Sequence, residues 1–134
     1  MLGWQLHCHP VFVRLRPCRR TKSPAKTDWE ADINRPAVVR RGDTYHLWYT
    51  GQARERSWIG YATSPDGLKW TKHAQNPVFR SDVSLPWERH KVTACQVLQQ
   101  GDWHLMFYIG FRDRDHAQIG LAIHEGEDLE FSGK

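Results

Sequence analysis

The sequence repeats itself with a period of about 60 residues, and this repeat limits the folds open to the chain. Residues 42–51, GDTYHLWYTG, return as residues 101–110, GDWHLMFYIG. Further matches keep the same order, with residues 29–30 answering to 87–88, 59–62 to 119–122 and 68–70 to 129–131. A repeat of this kind marks a tandem structural unit that buries its faces against its neighbours.

Turn residues divide each unit into four short strands. In the first unit the predicted strands cover about residues 37–40, 45–49, 58–62 and 68–71, with a polar loop over residues 51–56. A four-stranded antiparallel unit that repeats radially is a blade of a β-propeller. The aromatic residues predicted to fill the spaces between blades are Trp48, Trp70, Phe107 and Phe131.

The phase of the repeat predicts four parts of the chain. Residues 1–12 resemble the closing strand of a preceding blade, residues 13–28 form a basic insertion loop, and residues 29–79 and 80–134 are two blades. Since two blades do not close a ring, we expect a piece of a larger propeller that self-associates through exposed blade faces. The residues expected to stay partly unburied are Trp4, Trp48, Phe107 and Phe131.

The net charge of +4 comes from one stretch of the 134-residue chain. Residues 13–27 hold six Lys or Arg and no acid, so the rest of the chain carries a net negative charge. A solvated loop and a polyanion-binding patch both fit this stretch, but it has no aromatic residue for stacking bases. Since no apolar run approaches the ~18 residues of a membrane span either, we expect neither a nucleic-acid partner nor a membrane partner.

Cysteine and histidine give no strong signal for a metal or a disulfide framework. Cys8, Cys18 and Cys95 form an odd set without CxxC spacing. The cluster His7-Cys8-His9 with Cys18 is the one metal site that the pattern allows, and it carries little weight. We therefore predict no metal and no cofactor. The N-terminus lacks a convincing signal peptide, and the compartment stays open.

Strand direction brings polar residues to one end of the blades. The start of strand one and the loop between strands two and three share a rim because successive strands are antiparallel. This rim carries carboxylates mixed with Arg and His, the chemistry that glycoside cleavage requires. Ordinary surface ion pairs are the alternative for Asp113 and Asp115. The opposite rim carries Asp43, Asp66 and Asp102, which we interpret as turn residues.

Four segments, residues 29–36, 46–51, 59–70 and 76–79, together resemble blades of the five-bladed propeller glycosidases. Glycoside hydrolase families 43, 32 and 130 share this blade, and the sequence is most similar to family 43-like proteins. The resemblance implies an all-β chain, a partial five-bladed β-propeller of four-stranded antiparallel blades.

The family's catalytic funnel holds an aspartate base, a second aspartate that orients it and a glutamate acid. Asp32 matches the position of a family aspartate, and the other members are sought among three further carboxylates. The catalytic candidates implied are thus Asp32, Glu88, Asp113 and Asp115. The substrate-binding candidates are Asn34, Arg35, Arg54, Glu55, Arg112 and His116. Because Glu30 and Glu88 are equivalent repeat positions beside Trp, a structural role for both is the alternative.

The sequence thus predicts a glycoside hydrolase-type propeller segment that acts on a carbohydrate substrate by paired-carboxylate acid and base chemistry. A non-catalytic carbohydrate-binding or assembly propeller is the main alternative, and a gene remnant without function is a third. The sugar, the linkage and the stereochemical outcome are not predicted.

Overall fold

The structure, a computed structural model, describes residues 29–126 of the chain, which are all-β. They form two antiparallel sheets, a first sheet of four strands in the order β1-β2-β3-β4 and a second sheet in the order β5-β6-β7. The strands are β1 (Asp32–Arg41), β2 (Thr44–Ala53), β3 (Arg56–Ser64), β4 (Thr71–Lys72), β5 (Lys91–Gln100), β6 (Trp103–Phe111) and β7 (Ala117–Glu125).

Both sheets are up-and-down meanders, so the predicted all-β repeat is confirmed. Residues 1–28 and 127–134 lie outside the described residues. The predictions for the closing strand of a preceding blade, the basic loop, the His-Cys cluster, Trp4 and Phe131 fall on them. The described range contains no helix that is long and apolar enough to cross a membrane.

The predicted polar loop over residues 51–56 is wrong. β2 and β3 stay paired as far as Ala53 and Arg56, which leaves only Arg54 and Glu55 in the turn. Arg54 has a φ of 57°, the left-handed backbone that tight hairpin turns of this kind use. The predicted fourth strand also begins later, because Asp66 accepts hydrogen bonds from the backbone N–H groups of Leu68 and Lys69 at 2.8 Å each. These bonds hold residues 66–69 in a turn.

The repeat in sequence is also a repeat of side-chain contacts. A tryptophan covers two glycines in each unit, Trp29 over Gly51 and Gly60, and Trp87 over Gly110 and Gly120. A Cβ atom at Gly110 would lie 2.5 Å from the ring of Trp87, so only glycine lets the indole reach the strand.

The main hydrophobic core lies between the two sheets. Trp48, Ile59 and Tyr61 of the first sheet pack with Met106 and Tyr108 of the second. Trp48 is fully buried, so the expectation that it stays partly exposed is wrong, and its predicted place between two blades is confirmed. The reason is that alternation along β2 turns this side chain toward the second sheet.

Trp70 and Phe107 were also predicted to fill the spaces between blades, but neither lies between the two described sheets. Trp70 packs against Leu47, Tyr49 and Ala62, a cluster on the face of the first sheet that points away from the second. Trp70 therefore does not fill the space between the two described sheets. Phe107 lies on the outer side of the second sheet and is 38% exposed, as the expectation of partly unburied blade faces requires.

Polar contacts join the sheets beside the core. The Ser57 hydroxyl donates to the backbone carbonyl oxygen of Val92 at 2.8 Å, and the Thr93 hydroxyl lies 3.4 Å from that of Thr50. All four of these residues are buried. Because a buried hydroxyl without a partner is costly, these contacts help to fix how the sheets are aligned.

A histidine sits at the edge of the core. His46 lies 2.6 Å from the hydroxyl of Tyr61 through Nδ1, and its ring stacks on Trp48 and Tyr61 at centroid distances of 6.5 and 6.0 Å. Burial lowers the pKa of His46 below its ordinary value of 6.5, and the positive charge of Arg41 and the ring of His104 lower it further.

We expect stability to fall as the pH drops below about 6.5. The unfolded chain takes up a proton on His46 near that pH, while the folded chain resists until a lower pH, so protonation favours unfolding. The penalty is absent above the unfolded pKa and grows between it and the folded pKa. Urea titrations between pH 7.5 and 5.5 should show a larger fall in midpoint for the wild type than for His46→Gln. Equal falls would show that His46 does not contribute.

Candidate functional site

One end of the two sheets gathers the polar residues singled out from the sequence. Asp32 pairs with Gln52 at the start of β1, and Lys91 pairs with Phe111 at the start of β5. An ion pair between Glu55 and Arg114 then connects the turn of the first sheet to the β6–β7 loop of the second. The rim predicted from strand direction therefore exists, and we call it the polar end.

The β1 side of the polar end is shaped by a bulge between Asn34 and Ala37. Arg35, within this bulge, has a φ of 51°, which is uncommon for a residue other than glycine. Its guanidinium Nη1 donates to the hydroxyl of Thr93 in the second sheet at 2.8 Å. This bond fixes the bulge against the neighbouring sheet. Asp32, Asn34 and Arg35 are all exposed.

The β6–β7 loop is organised around Asp113. This carboxylate accepts from Nε of Arg112 at 3.0 Å and lies 2.7 Å from Nδ1 of His116, and it also accepts from the backbone N–H groups of Asp115 and His116. The hydrogen bond from His116, then that from Arg112, holds the pKa of Asp113 well below its usual range. These bonds favour the ionised form of Asp113, which suits an acceptor of hydrogen bonds better than a donor of protons.

Asp115 lies on a cleft of about 320 Å³ beside this loop. Trp87 forms an apolar wall, and Arg112, His116 and Gln118 supply further polar groups; Pro86 and Ala117 complete the lining. A concave space with one aromatic wall and a few converging polar side chains is the usual form of a small-molecule site. Of the four catalytic candidates, Asp115 is the one that lines this cleft.

Glu88 occupies a different environment. It is only 2% exposed, its Oε2 accepts from the hydroxyl of Tyr108 at 2.6 Å, and its Oε1 accepts from the backbone N–H of Asp82 at 3.1 Å. The first sheet repeats this contact, since Tyr49 donates to Glu30 at 2.6 Å. A contact present at both repeat positions favours a structural role for Glu88 over the catalytic one.

The structure thus sorts the predicted site residues. Arg112, Asp115 and His116 come together on the cleft, Asp113 binds Arg112 and His116 within the same loop, and Asp32 does not line the cleft. Trp87 and Gln118 were missed as site residues. Because Trp87 belongs to the sequence repeat, its pattern indicates a core residue. No motif in the sequence identifies Gln118 as a site residue. Among residues 29–126 there is no cluster of three or more His, Cys, Asp or Glu side chains that fits a metal ion.

The opposite end of the sheets carries turns, as predicted. Gly42, Gly67 and Gly101 have φ values of 56°, 73° and 61°, which glycine adopts at low cost. Hydrogen bonds from the backbone N–H groups of Lys69 and Leu68 lower the pKa of Asp66. The interpretation of Asp66 as a turn residue is therefore confirmed.

Several solved structures share the fold of these two sheets. One is described as belonging to the GH130 family of mannoside phosphorylases, which contains glycoside hydrolases that target β-1,2 mannosidic linkages in Candida mannan; it is 20% identical with a TM-score of 0.65. A glycosyl hydrolase from Bacteroides ovatus is 21% identical with a TM-score of 0.64, and an endo-1,4-β-xylanase from Bacteroides thetaiotaomicron is 19% identical with a TM-score of 0.58. The chain has the fold of part of these glycosidases.

The extent of the match is partial. The likeness covers 73–75% of this chain but only 30–37% of those three chains. No protein-family model and no curated protein matches the sequence. The resemblance to propeller glycosidases drawn from the sequence is therefore supported at the level of fold, and the choice of family 43 stays a prediction.

Proposed function

We propose that this chain is a segment of a five-bladed propeller that acts on carbohydrates as a glycoside hydrolase. The observation that carries the proposal is the cleft at the polar end, which joins Asp115, His116 and Arg112 to the indole of Trp87. The fold shared with part of several glycosidases supports it, because in such enzymes binding residues lie on loops held by a rigid scaffold.

The cleft offers groups suited to a sugar. Trp87, Pro86 and Ala117 supply apolar atoms for the carbon face of a sugar, while Arg112 and Gln118 have N–H groups that can donate hydrogen bonds to its hydroxyl groups. Asp115 joins the hydrogen bonds of the loop through its backbone N–H, whereas Asp113 joins them through its carboxylate. Asp115 also lines the open cleft. We assign it the role of a reacting carboxylate.

Hydrolysis of a glycosidic bond needs two carboxyl groups in different protonation states. One gives a proton to the leaving oxygen, and the other activates water or attacks the sugar. We propose Asp32 and Asp115 for these two roles, with Asn34, Arg35, Arg54 and Glu55 bordering the substrate. Glu88 then stabilises the site through its hydrogen bond with Tyr108, and Asp113 stabilises it through its hydrogen bonds within the β6–β7 loop.

A carbohydrate-binding segment without catalysis is the second candidate. It is favoured because Glu88 is engaged with Tyr108 and Asp113 with His116, while Asp32 does not line the cleft, so that Asp115 is the one predicted carboxylate on it. Binding needs only the aromatic wall and the hydrogen-bonding groups, whereas turnover needs a second carboxylate within reach of the same bond.

We expect Asp115→Asn to weaken sugar binding by about tenfold or more, since hydrogen bonds to charged groups contribute about 1.5–3 kcal/mol. Calorimetric titration with manno- and xylo-oligosaccharides would measure binding, and reducing-sugar release would measure turnover. Asp102→Asn, in a turn at the opposite end, is the matched control and should leave both unchanged.

The outcomes separate the two candidates. Turnover by the wild type that falls on the order of a hundredfold in Asp115→Asn supports hydrolysis. Binding without turnover favours the carbohydrate-binding segment. Equal binding by the wild type and Asp115→Asn would reject the cleft as the sugar site, and the absence of both binding and turnover would reject a carbohydrate function for this chain.

A further inference from the structure

Two of the side chains that line the cleft exchange protons readily, Asp115 and His116. Arg112 keeps its charge, and the other lining residues within the described range have no acidic or basic group. Hydrolysis of a glycosidic bond needs one group that holds a proton and another that has lost its proton. Asp115 and His116 are therefore the two lining residues that can divide these roles.

The other predicted carboxyl groups are poorly placed to give a proton at the cleft. Glu88 is buried, with Oε2 bound to the hydroxyl of Tyr108 and Oε1 bound to the backbone N–H of Asp82. Asp113 uses its carboxylate as an acceptor within the β6–β7 loop, and Asp32 does not line the cleft. The proton donor of the cleft is thus to be sought outside these three carboxyl groups.

The ring of His116 is held by Asp113. Nδ1 of His116 lies 2.7 Å from Oδ1 of Asp113, and the same oxygen accepts from the backbone N–H of His116 at 2.9 Å. The other oxygen accepts from Nε of Arg112 at 3.0 Å, so the carboxylate itself is fixed. Because an ionised carboxylate only accepts hydrogen bonds, Nδ1 carries the hydrogen in this pair. This arrangement leaves the other ring nitrogen, Nε2, for a ligand.

The side chain of His116 is also within reach of a substrate, since it is 61% exposed and lines the cleft. Imidazole is the side-chain group that ordinarily changes charge between about pH 5 and 8. In that range an imidazole can hold a proton while a carboxylate has lost its own. A histidine beside an aspartate therefore offers both protonation states that the reaction needs.

We propose that His116, oriented by Asp113, is the proton donor of the cleft and takes the place of Asp32 as the partner of Asp115. This role rests on the proposed hydrolysis. Nε2 of the imidazolium gives its proton to the leaving oxygen as the bond from that oxygen to the anomeric carbon breaks, and the electron pair stays on the oxygen. Asp115 takes a proton from the water whose oxygen bonds to the anomeric carbon. Solvent then returns a proton from Asp115 to His116.

Substrates with different leaving groups test the donor role. Manno- and xylo-oligosaccharides have a sugar alcohol oxygen as leaving group, which needs a proton, whereas the 2,4-dinitrophenyl glycosides of the same sugars have a leaving group that departs without one. We expect His116→Gln to lose on the order of a hundredfold in turnover of the oligosaccharides. The same variant should hydrolyse the dinitrophenyl glycosides nearly as fast as the wild type.

Two further variants complete the test. His90→Gln is the matched control, because His90 also lies at the polar end, before β5, but does not line the cleft. Its turnover of both kinds of substrate should equal that of the wild type. Asp113→Asn is expected to show the leaving-group pattern of His116→Gln with a smaller loss, because an amide can also donate to Nδ1 and no longer fixes the hydrogen there.

Nitrogen NMR of the histidine rings gives a readout that does not depend on turnover. In the wild type at alkaline pH, where the ring of His116 is neutral, the hydrogen should reside on Nδ1. In Asp113→Asn part of it should move to Nε2. A wild-type ring that carries this hydrogen on Nε2 would overturn the proposal.

The kinetic outcomes separate this role from hydrolysis itself. Equal losses on both kinds of substrate in His116→Gln would overturn the donor role, since they would mean that the side chain only supports the loop or binds the sugar. Oligosaccharide turnover that His116→Gln leaves unchanged would also overturn it, while hydrolysis by the chain would stand. Failure of the wild type to hydrolyse any of these glycosides would reject the proposed hydrolysis and the donor role together.

Discussion

Trp48→Ala is expected to lower the free energy of unfolding by about 3–5 kcal/mol, the range measured when a large aromatic residue is removed from a core. Trp48 is fully buried and packs with Ile59 and Tyr61 between the sheets, with its ring 5.3 Å from that of Tyr61. Since a small domain is stable by about 5–15 kcal/mol, this substitution is expected to remove a large share of the stability.

Urea denaturation followed by tryptophan fluorescence and circular dichroism would measure the change. Trp103→Ala is the matched control, because Trp103 is of the same type but is 46% exposed on the second sheet. Its loss should be clearly smaller, since less apolar surface leaves a packed environment. Equal losses for the two variants would contradict a core between the sheets centred on Trp48.

Tyr108→Phe is expected to cost about 1.5–3 kcal/mol, the contribution of a hydrogen bond to a charged group. The change removes one hydroxyl and leaves Oε2 of Glu88 without its donor in a buried position. Desolvation and the hydrogen bond to Glu88 together raise the pKa of Tyr108, so the phenol stays protonated and donates at neutral pH.

The first sheet supplies the control for this prediction. Tyr49→Phe removes the equivalent hydroxyl from Glu30, but Glu30 retains an ion pair with Lys72. The loss of stability in Tyr49→Phe should therefore be the smaller of the two, measured by the same urea titrations. An unchanged stability in Tyr108→Phe would show that the Tyr108–Glu88 contact does not stabilise the second sheet.

The sequence by itself determined the repeated meander and its turns. Alternation of apolar side chains has a period of two, and glycine at positive φ is a local requirement at residues such as Gly42 and Gly101, so both are visible in a single segment. The antiparallel direction of successive strands then placed Asp32 and the 112–116 loop at the same end, since this follows from connectivity alone.

The length of the hairpin after β2 and the first residue of β4 were harder to predict from the sequence. They depend on how far a ladder continues and on which side chain accepts the turn hydrogen bonds, as Asp66 does for Leu68 and Lys69. Such choices are decided by a few hydrogen bonds of similar strength, which the pattern of residue types does not rank.

Only the tertiary structure decided the surroundings of the acidic side chains. Glu88 and Asp115 are both carboxylates near the second sheet, yet Glu88 is closed in by Tyr108, 20 residues away in sequence, and Asp115 borders a cleft with Trp87. Likewise, Trp48 and Phe107 are equivalent in the repeat, but a sheet covers only the first. Burial and the partner of a charge depend on elements that are distant along the chain, so they follow from packing and not from local sequence.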